Sequence, residues 1–342
     1  MERDLPALWR SPQWRAELEA WLLPALADAG RTVTGPLVQE RVRFWSTVLS
    51  VETDAGRVWV KENAPSQAFE AALVDAIDGI VPRLCAPVVA VEADRGWLAT
   101  ADLGAPLWHE GATPSVDDWV AVVERYGQAQ RDLSNHADAV LAAGVPVFPH
   151  DPADVTTWVT DLVTDLRALP REDPRRPTDE EAALVDDGLG RIHEAAAVLV
   201  DSGMPSTLQH NDLHLGNAFR GPGLDATFID LGDAVWAHPL TALRIPLWTL
   251  RHLYDDDVPD GAAASRVLTA GIAPWTDVWD VHTLTQLLPA AERISCLHRA
   301  ESWSRLQRDV PVHVVEQAWV RSVIEWVVDA AAQDPYASSL PR

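Results

Sequence analysis

The chain has 342 residues, 47% hydrophobic and 23% charged, a composition that buries a sizeable core and leaves room for two lobes. Its 51 acidic residues against 27 lysines and arginines give a net charge of −24, a field that repels nucleic acid and anionic membranes and attracts cationic ligands. No apolar run of 18 residues is present to cross a membrane, the start "MERDLPALWRSPQW" is unlike a signal peptide, and the isolated Cys85 and Cys296 are too few for a disulfide framework or a zinc site, so a cytoplasmic protein is expected.

Residues 5–29 carry Leu18, Trp21, Leu22 and Leu26 at helical spacing. The segment "LVQERVRFWSTVLSVETDAGRVWVKE" (37–62) is rich in β-branched and aromatic residues and contains a turn at "TDAG", which predicts two or three antiparallel strands ending in "RVWVK". Alternation there places Trp59 and Lys61 on one face and Val58 and Val60 on the other. A helix is predicted from just after Pro65 to about Gly79, followed by strands in "APVVAVEAD" and "GWLATADLG". From about residue 115 the pattern becomes helical. "TPSVDDWVAVVERYGQAQRDLSNHADAVLAAG" fits one long helix or two, and Thr178 with Glu181 forms a capping box that opens another. Between 205 and 235 a strand–turn–strand segment interrupts the helices, with its turn at Gly221-Pro222-Gly223. The expected fold is α+β: an antiparallel N-terminal sheet with one key helix (1–103), then a larger, mainly helical lobe (104–342).

The interruption carries the chemistry. His210, Asp212 and Asn217 form H-x-D-x-x-x-x-N, and the following hairpin delivers Asp230. Lys61, the only lysine of the chain, precedes them on a strand. Transfer of a γ-phosphoryl group needs Mg²⁺, which takes oxygen ligands; the Asn217 carboxamide and the Asp230 carboxylate suit it. In the general pattern of such reactions a loop aspartate, here Asp212, accepts the proton of the attacking hydroxyl. A strand lysine, here Lys61, neutralises the nucleotide phosphates, and a helix glutamate, here Glu70, orients that lysine. A metal pair of His210 and His214 lacks the glutamate and helix of a zinc protease motif, and His210 reads better as a brace. Asp233 is expected either to add a metal or substrate contact or to cap the next helix.

"HNDLHLGN" followed by "FIDLGDA" resembles the signature of the aminoglycoside phosphotransferase and choline kinase superfamily, small-molecule kinases with a two-lobed protein-kinase-like fold. The resemblance covers most of the chain and implies ATP and Mg²⁺, Asp212 as base, Asn217 and Asp230 as metal ligands, Lys61 on the phosphates, and a small-molecule hydroxyl acceptor such as an aminoglycoside, amino sugar or amino alcohol. It implies too that Ala99, Thr100, Ala101 and Asp102 form the hinge that hydrogen-bonds adenine. The chain departs from the pattern in three places. "VRFWSTVLS", which should cover the phosphates, has no glycine, so backbone amides and the Ser46 and Thr47 hydroxyls are expected to substitute. Trp59 stands where a small residue usually roofs the adenine, and is expected to reshape the pocket or stack on the base. Asn211 replaces the arginine of phospho-regulated protein kinases, and little chain is left for an activation loop, which argues against a protein substrate. Asp255 and Asp256, in an acidic cluster, are a candidate contact for a cationic acceptor. The alternative is a non-catalytic kinase-like protein that binds a ligand or partner.

Overall fold

A computed structural model describes residues 2–112, 114–221, 226–253 and 261–335, of 251–253 the backbone alone. Two helices open the chain, α1 (Leu5–Trp9) and α2 (Pro12–Asp28). Each begins with a proline just inside a capping side chain, Asp4 and Ser11. Trp14, Leu18, Leu22 and Leu26, four apart, form the buried seam of α2. Trp21, expected on that seam, lies at its edge, 5.4 Å from the ring of Trp97.

The sheet comprises β1 (Val38–Val42), β2 (Ser46–Thr53), β3 (Gly56–Asn63), β4 (Val88–Glu92) and β5 (Trp97–Ala101), all antiparallel in the order β1-β2-β3-β5-β4. The segment 37–62 thus holds three strands. Val58 and Val60 are fully buried on one face of β3, and Trp59 and Lys61 occupy the other, as the alternation predicts. Helix α3 (Phe69–Ile80) follows a short 3₁₀ turn, Pro65–Gln67, and connects β3 to β4.

One carboxylate ties the N-terminal helices to the sheet. Glu62 accepts the indole N–H of Trp9 (2.9 Å), of Trp14 (2.7 Å) and of Trp97. Three tryptophans from three elements therefore converge on the back of β3, on the residue next to Lys61.

The second half holds α4 (Val116–Ser134), α5 (Ala137–Ala142), α6 (Pro152–Ala168), α7 (Asp179–Asp201), α8 (Arg244–Leu253), α9 (Ala262–Ile272), α10 (Val281–Asp309) and α11 (Ser322–Ala331). The stretch that fitted one helix or two is two, with a break at Asn135–His136, and the capping box at Thr178–Glu181 is present. Four short strands interrupt the helices: β6 (Thr207–Gln209), β7 (Ala218–Arg220), β8 (Ala226–Phe228) and β9 (Val235–Ala237). They pair as β6–β9 and β7–β8, so the predicted hairpin is nested inside a second ladder; the middle of its turn, 222–225, lies outside the described residues. The architecture is a five-stranded antiparallel sheet with one key helix joined to a larger helical lobe, the two-lobed protein-kinase-like fold. No helix among the described residues is long and apolar enough to cross a membrane.

Helix α10 passes through the centre of the helical lobe and buries polar side chains around its whole circumference, including Arg293, Arg299 and Arg305. Each is engaged. Arg293 donates to the carbonyls of Ala330 and Ala332 (2.7 Å to Ala332), Arg305 pairs with Glu301 at 2.8 Å, and Arg299 reaches Asn211, Asp212 and Asp233.

Candidate active site

Three segments distant in sequence meet at Lys61. Its Nζ lies 2.6 Å from Glu70 Oε2 of α3 and 2.6 Å from Asp230 Oδ1, one residue beyond the Phe228–Ile229 end of the hairpin. Glu70 is itself fixed: its Oε1 accepts the Leu231 amide at 2.8 Å, and Asn63 Nδ2 donates to Oε2. Burial opposes the charge on Lys61, but Asp230 and Glu70 outweigh it and hold the ammonium above its ordinary pKa. For Asp230 burial works upward and Lys61 downward, and the carboxyl ends below its ordinary value.

Asp230 and Asn211 both adopt left-handed backbone, with φ of 67° and 65°. Aspartate and asparagine tolerate that region better than other non-glycine residues, and here it turns the chain sharply at each side of the site. The Asn211 amide donates to the carbonyls of Asp233 (3.2 Å) and His298 (3.0 Å), so its work is structural.

Asp212 follows. Asn217 Nδ2 donates to its carbonyl at 3.1 Å, and the Ile229 amide donates to the Asn217 carbonyl at 3.0 Å. Because Ala218 pairs with Phe228, Asn217 and Asp230 emerge at the same end of the β7–β8 hairpin. A carboxamide and a carboxylate there are hard oxygen donors, the type Mg²⁺ prefers.

Two basic side chains flank the Asp212 carboxylate: Arg299 Nη1 at 3.6 Å from Oδ1 and His214 Nε2 at 3.4 Å from Oδ2. Burial raises the Asp212 pKa, yet Arg299 and then His214 outweigh it and hold the carboxyl well below the usual range. His214, despite burial, is shifted upward by Asp212. Its ring is set by the Gly216 amide, which donates to Nδ1 at 3.0 Å; a Cβ on Gly216 would stand 2.8 Å from that ring and displace it. Sequence spacing gave no sign of Arg299, 87 positions beyond Asp212. Its only trace is the polar character of α10 on every side, the mark of a helix whose charges are buried and paired.

His210 keeps its expected part as a brace, and the expectation for Asp233 is corrected. His210 is fully buried, with Nε2 3.0 Å from the Ile229 carbonyl and Tyr126 and Phe228 edge-on to its ring; burial lowers its pKa, and it braces the loop without reaching substrate space. Asp233 neither caps a helix nor faces the cleft. Its carboxylate is spent on Gln67 Nε2 (2.6 Å), Arg299 Nη1 (2.9 Å) and Ser302 Oγ, a knot joining α10 to the turn before α3.

A cavity of about 380 Å³ adjoins Lys61, Glu70 and Asp230. Val48, Val74, Ala86, Leu98, Phe219 and Phe228 make its walls apolar. Trp59 lines it and is held by an indole bond to Asp102 Oδ1 at 2.6 Å. Thr100, Ala101 and Asp102 line it too. Ala99 does not: its side chain is fully buried on the opposite face of β5, in register with Val60. The amides of Ala101 and Asp102 are engaged by the carbonyls of Pro87 and Arg57, and Leu103 and Gly104 continue the lining.

For Thr47 the expectation for the phosphate-covering turn is corrected as well. Thr47 points to the far face of β2, where its hydroxyl donates to the Arg41 carbonyl (3.1 Å) and accepts from Gln39 (2.9 Å). Ser46 is fully buried beside Asn63, outside the cavity lining. The residues that β1 does present to the cavity are Glu40 and Arg41. Asp255 and Asp256 lie outside the described residues.

The fold is one shared with solved small-molecule kinases and phosphotransferases. The chain is similar in structure to a Plasmodium vivax ethanolamine kinase, with a TM-score of 0.60 and 11% identity over 96% of this chain and 91% of that one. It is likewise similar to a gentamicin-APH(2")-IIa complex (TM-score 0.56, 12% identity, 92% and 98% covered) and to a macrolide 2'-phosphotransferase type I (TM-score 0.54, 15% identity, 91% and 95% covered). No family model matches the sequence, and no curated protein matches it.

Proposed function

We propose that this protein is an ATP- and Mg²⁺-dependent kinase of the cytoplasm that phosphorylates a hydroxyl of a small molecule. The observation that carries the reading is the convergence of Lys61, Glu70 and Asp230 at 2.6 Å contacts beside an apolar cavity, with Asp212 and Asn217 at the adjoining loop. Convergence of separate segments on one half-buried lysine is costly to maintain unless its charge is used. In this reading the lobes meet near Gly104, residues 1–103 binding nucleotide and 104–342 carrying the acceptor site.

Adenine would occupy the apolar end, against Trp59 and Leu98, with its polar edge toward Thr100–Gly104. Lys61, oriented by Glu70, would hold the phosphates. Asp230 and the Asn217 carboxamide oxygen would hold Mg²⁺, which supplies charge neutralisation on the transferred group. With two oxygen donors from the protein, water and phosphate oxygens would complete the shell of such a cation.

Asp212 would orient the acceptor hydroxyl and take its proton. A carboxylate held at low pKa by Arg299 and His214 is a weak base, which suits a loose transition state in which the proton leaves late. The net charge of −24 favours a cationic acceptor, such as an aminoglycoside, amino sugar or amino alcohol. ADP release from Mg²⁺-ATP across a panel of these compounds tests the proposal. Acceptor-dependent turnover supports it; tight nucleotide or ligand binding without turnover on any acceptor favours a non-catalytic kinase-like protein.

A further inference from the structure

Strand β1 is irregular where it borders the cavity. Gln39 pairs with Leu49, but Arg41 pairs with Val48, so three residues of β1 oppose two of β2 and Glu40 forms a β-bulge. A bulge reverses the alternation of side chains. Gln39 faces away from the cavity, its amide donating to the Trp9 carbonyl (3.0 Å) and to Thr47 Oγ1 (2.9 Å). In a regular strand Arg41, two residues on, would share that outer face. The bulge turns it inward instead. Arg41 lies opposite Val48, Val48 opposite Lys61, and Lys61 opposite Leu98: one cross-strand row, and all four residues line the cavity.

The placement fits an unmet need. The turn between β1 and β2 contains no glycine whose amide could approach an anion closely, the Thr47 hydroxyl is committed to the far face, and Ser46 is fully buried outside the cavity lining. Lys61 divides its charge between two carboxylates. Arg43, the other cation of this turn, is paired with Glu316 at 2.9 Å. Arg41 is exposed, and its charge reaches Asp230, helping to hold that carboxyl down. The guanidinium's planar array of donors matches phosphate oxygens better than an ammonium does.

We propose that Arg41, aimed inward by the bulge at Glu40, binds the phosphates of the nucleotide and replaces the backbone amides of a glycine-rich turn. The proposal rests on the nucleotide-binding reading of the cavity and adds a residue to it. Binding is measured by calorimetry for two probes, the β,γ-imido analogue of ATP with Mg²⁺, and adenosine. Arg41→Gln is expected to weaken the analogue by about ten- to a hundredfold, the loss of one or two charge-assisted bonds, and to leave adenosine within about twofold. Arg41→Lys should recover part of the loss, while Arg43→Gln, an identical change of net charge two residues away, should leave both probes within about twofold.

Unchanged affinity of Arg41→Gln for the analogue would overturn the proposal while leaving the cavity a nucleotide site. Equal weakening of both probes would overturn it too, since Arg41 would then shape the pocket without binding phosphate. A wild-type protein that binds neither probe would remove the nucleotide reading itself.

Discussion

Arg299 offers the sharpest test of how the site is built, because it acts on Asp212 from a helix that sequence spacing does not connect to the loop. Its Nη1 stands 3.6 Å from Asp212 Oδ1 and 2.9 Å from Asp233 Oδ2. At an effective dielectric of about 20, opposite charges 3.6 Å apart interact by about 4–5 kcal/mol. That corresponds to at most about 3.5 pKa units, and water entering the vacated space should at least halve it. Arg299→Gln is therefore expected to raise the Asp212 pKa by about 1–2 units and to move the acid limb of the pH–rate profile upward by the same amount. Arg299→Lys retains the charge and should keep the limb near its wild-type position, though with a lower rate from the lost fork geometry. The assay is kcat/KM against pH for the three proteins, with thermal unfolding and nucleotide affinity measured in parallel to separate chemistry from folding. A fall in rate with an unmoved acid limb in Arg299→Gln would refute the electrostatic role and leave Arg299 a packing residue.

Two further perturbations test the supports of the site. Glu62→Gln keeps a carbonyl for two of the three indoles but sets an amide N–H against the third, so a loss of about 1–3 kcal/mol is expected in the urea midpoint at constant m; a change below about 0.5 kcal/mol would mean that the tryptophan cluster does not depend on the carboxylate. His298 is held neutral by burial, and then by His238, with its pKa lowered to about 3. Between pH 6.5 and 3 the unfolded chain takes up a proton that the folded one refuses, so stability is lost as pH falls through that window. His298→Phe, which keeps a ring against Phe148, should remove about 2 kcal/mol of the stability loss between pH 7 and 5; equal slopes for the two proteins would refute the buried neutral state.

How much of this was legible in the sequence depends on the range of the interactions. Strands 46–53 and 56–63, the helix after Pro65 and the capping box at Thr178 rest on local alternation, turn residues and caps, and the structure places them where those signals fall. The Lys61–Glu70 pair was readable because strand and helix are neighbours in the chain, nine residues apart. What the sequence hid is long-range or depends on parity. Arg41 looks outward by alternation and is turned inward by a single extra residue in β1. Thr47 goes the other way: its hydroxyl suits a phosphate, but its strand position commits it to the far face. Asp233 lies in a stretch that reads as metal-binding, and only the fold shows its charge already satisfied by Arg299, Gln67 and Ser302. The pairing of β6 with β9 spans the whole loop, and three-residue strands carry too little pattern to reveal it.

The central claim is tested most directly by ADP release with Mg²⁺-ATP against a panel of aminoglycosides, amino sugars, amino alcohols and other hydroxylated metabolites, run with wild type, Asp212→Ala and Lys61→Met. Acceptor-dependent turnover is expected for the wild type, falling by about 10²–10⁴-fold in Asp212→Ala and about 10²–10³-fold in Lys61→Met, while Asp212→Ala still binds nucleotide. Turnover that survives the Asp212 substitution undiminished, or a wild type that binds Mg²⁺-ATP and phosphorylates no acceptor, would contradict it.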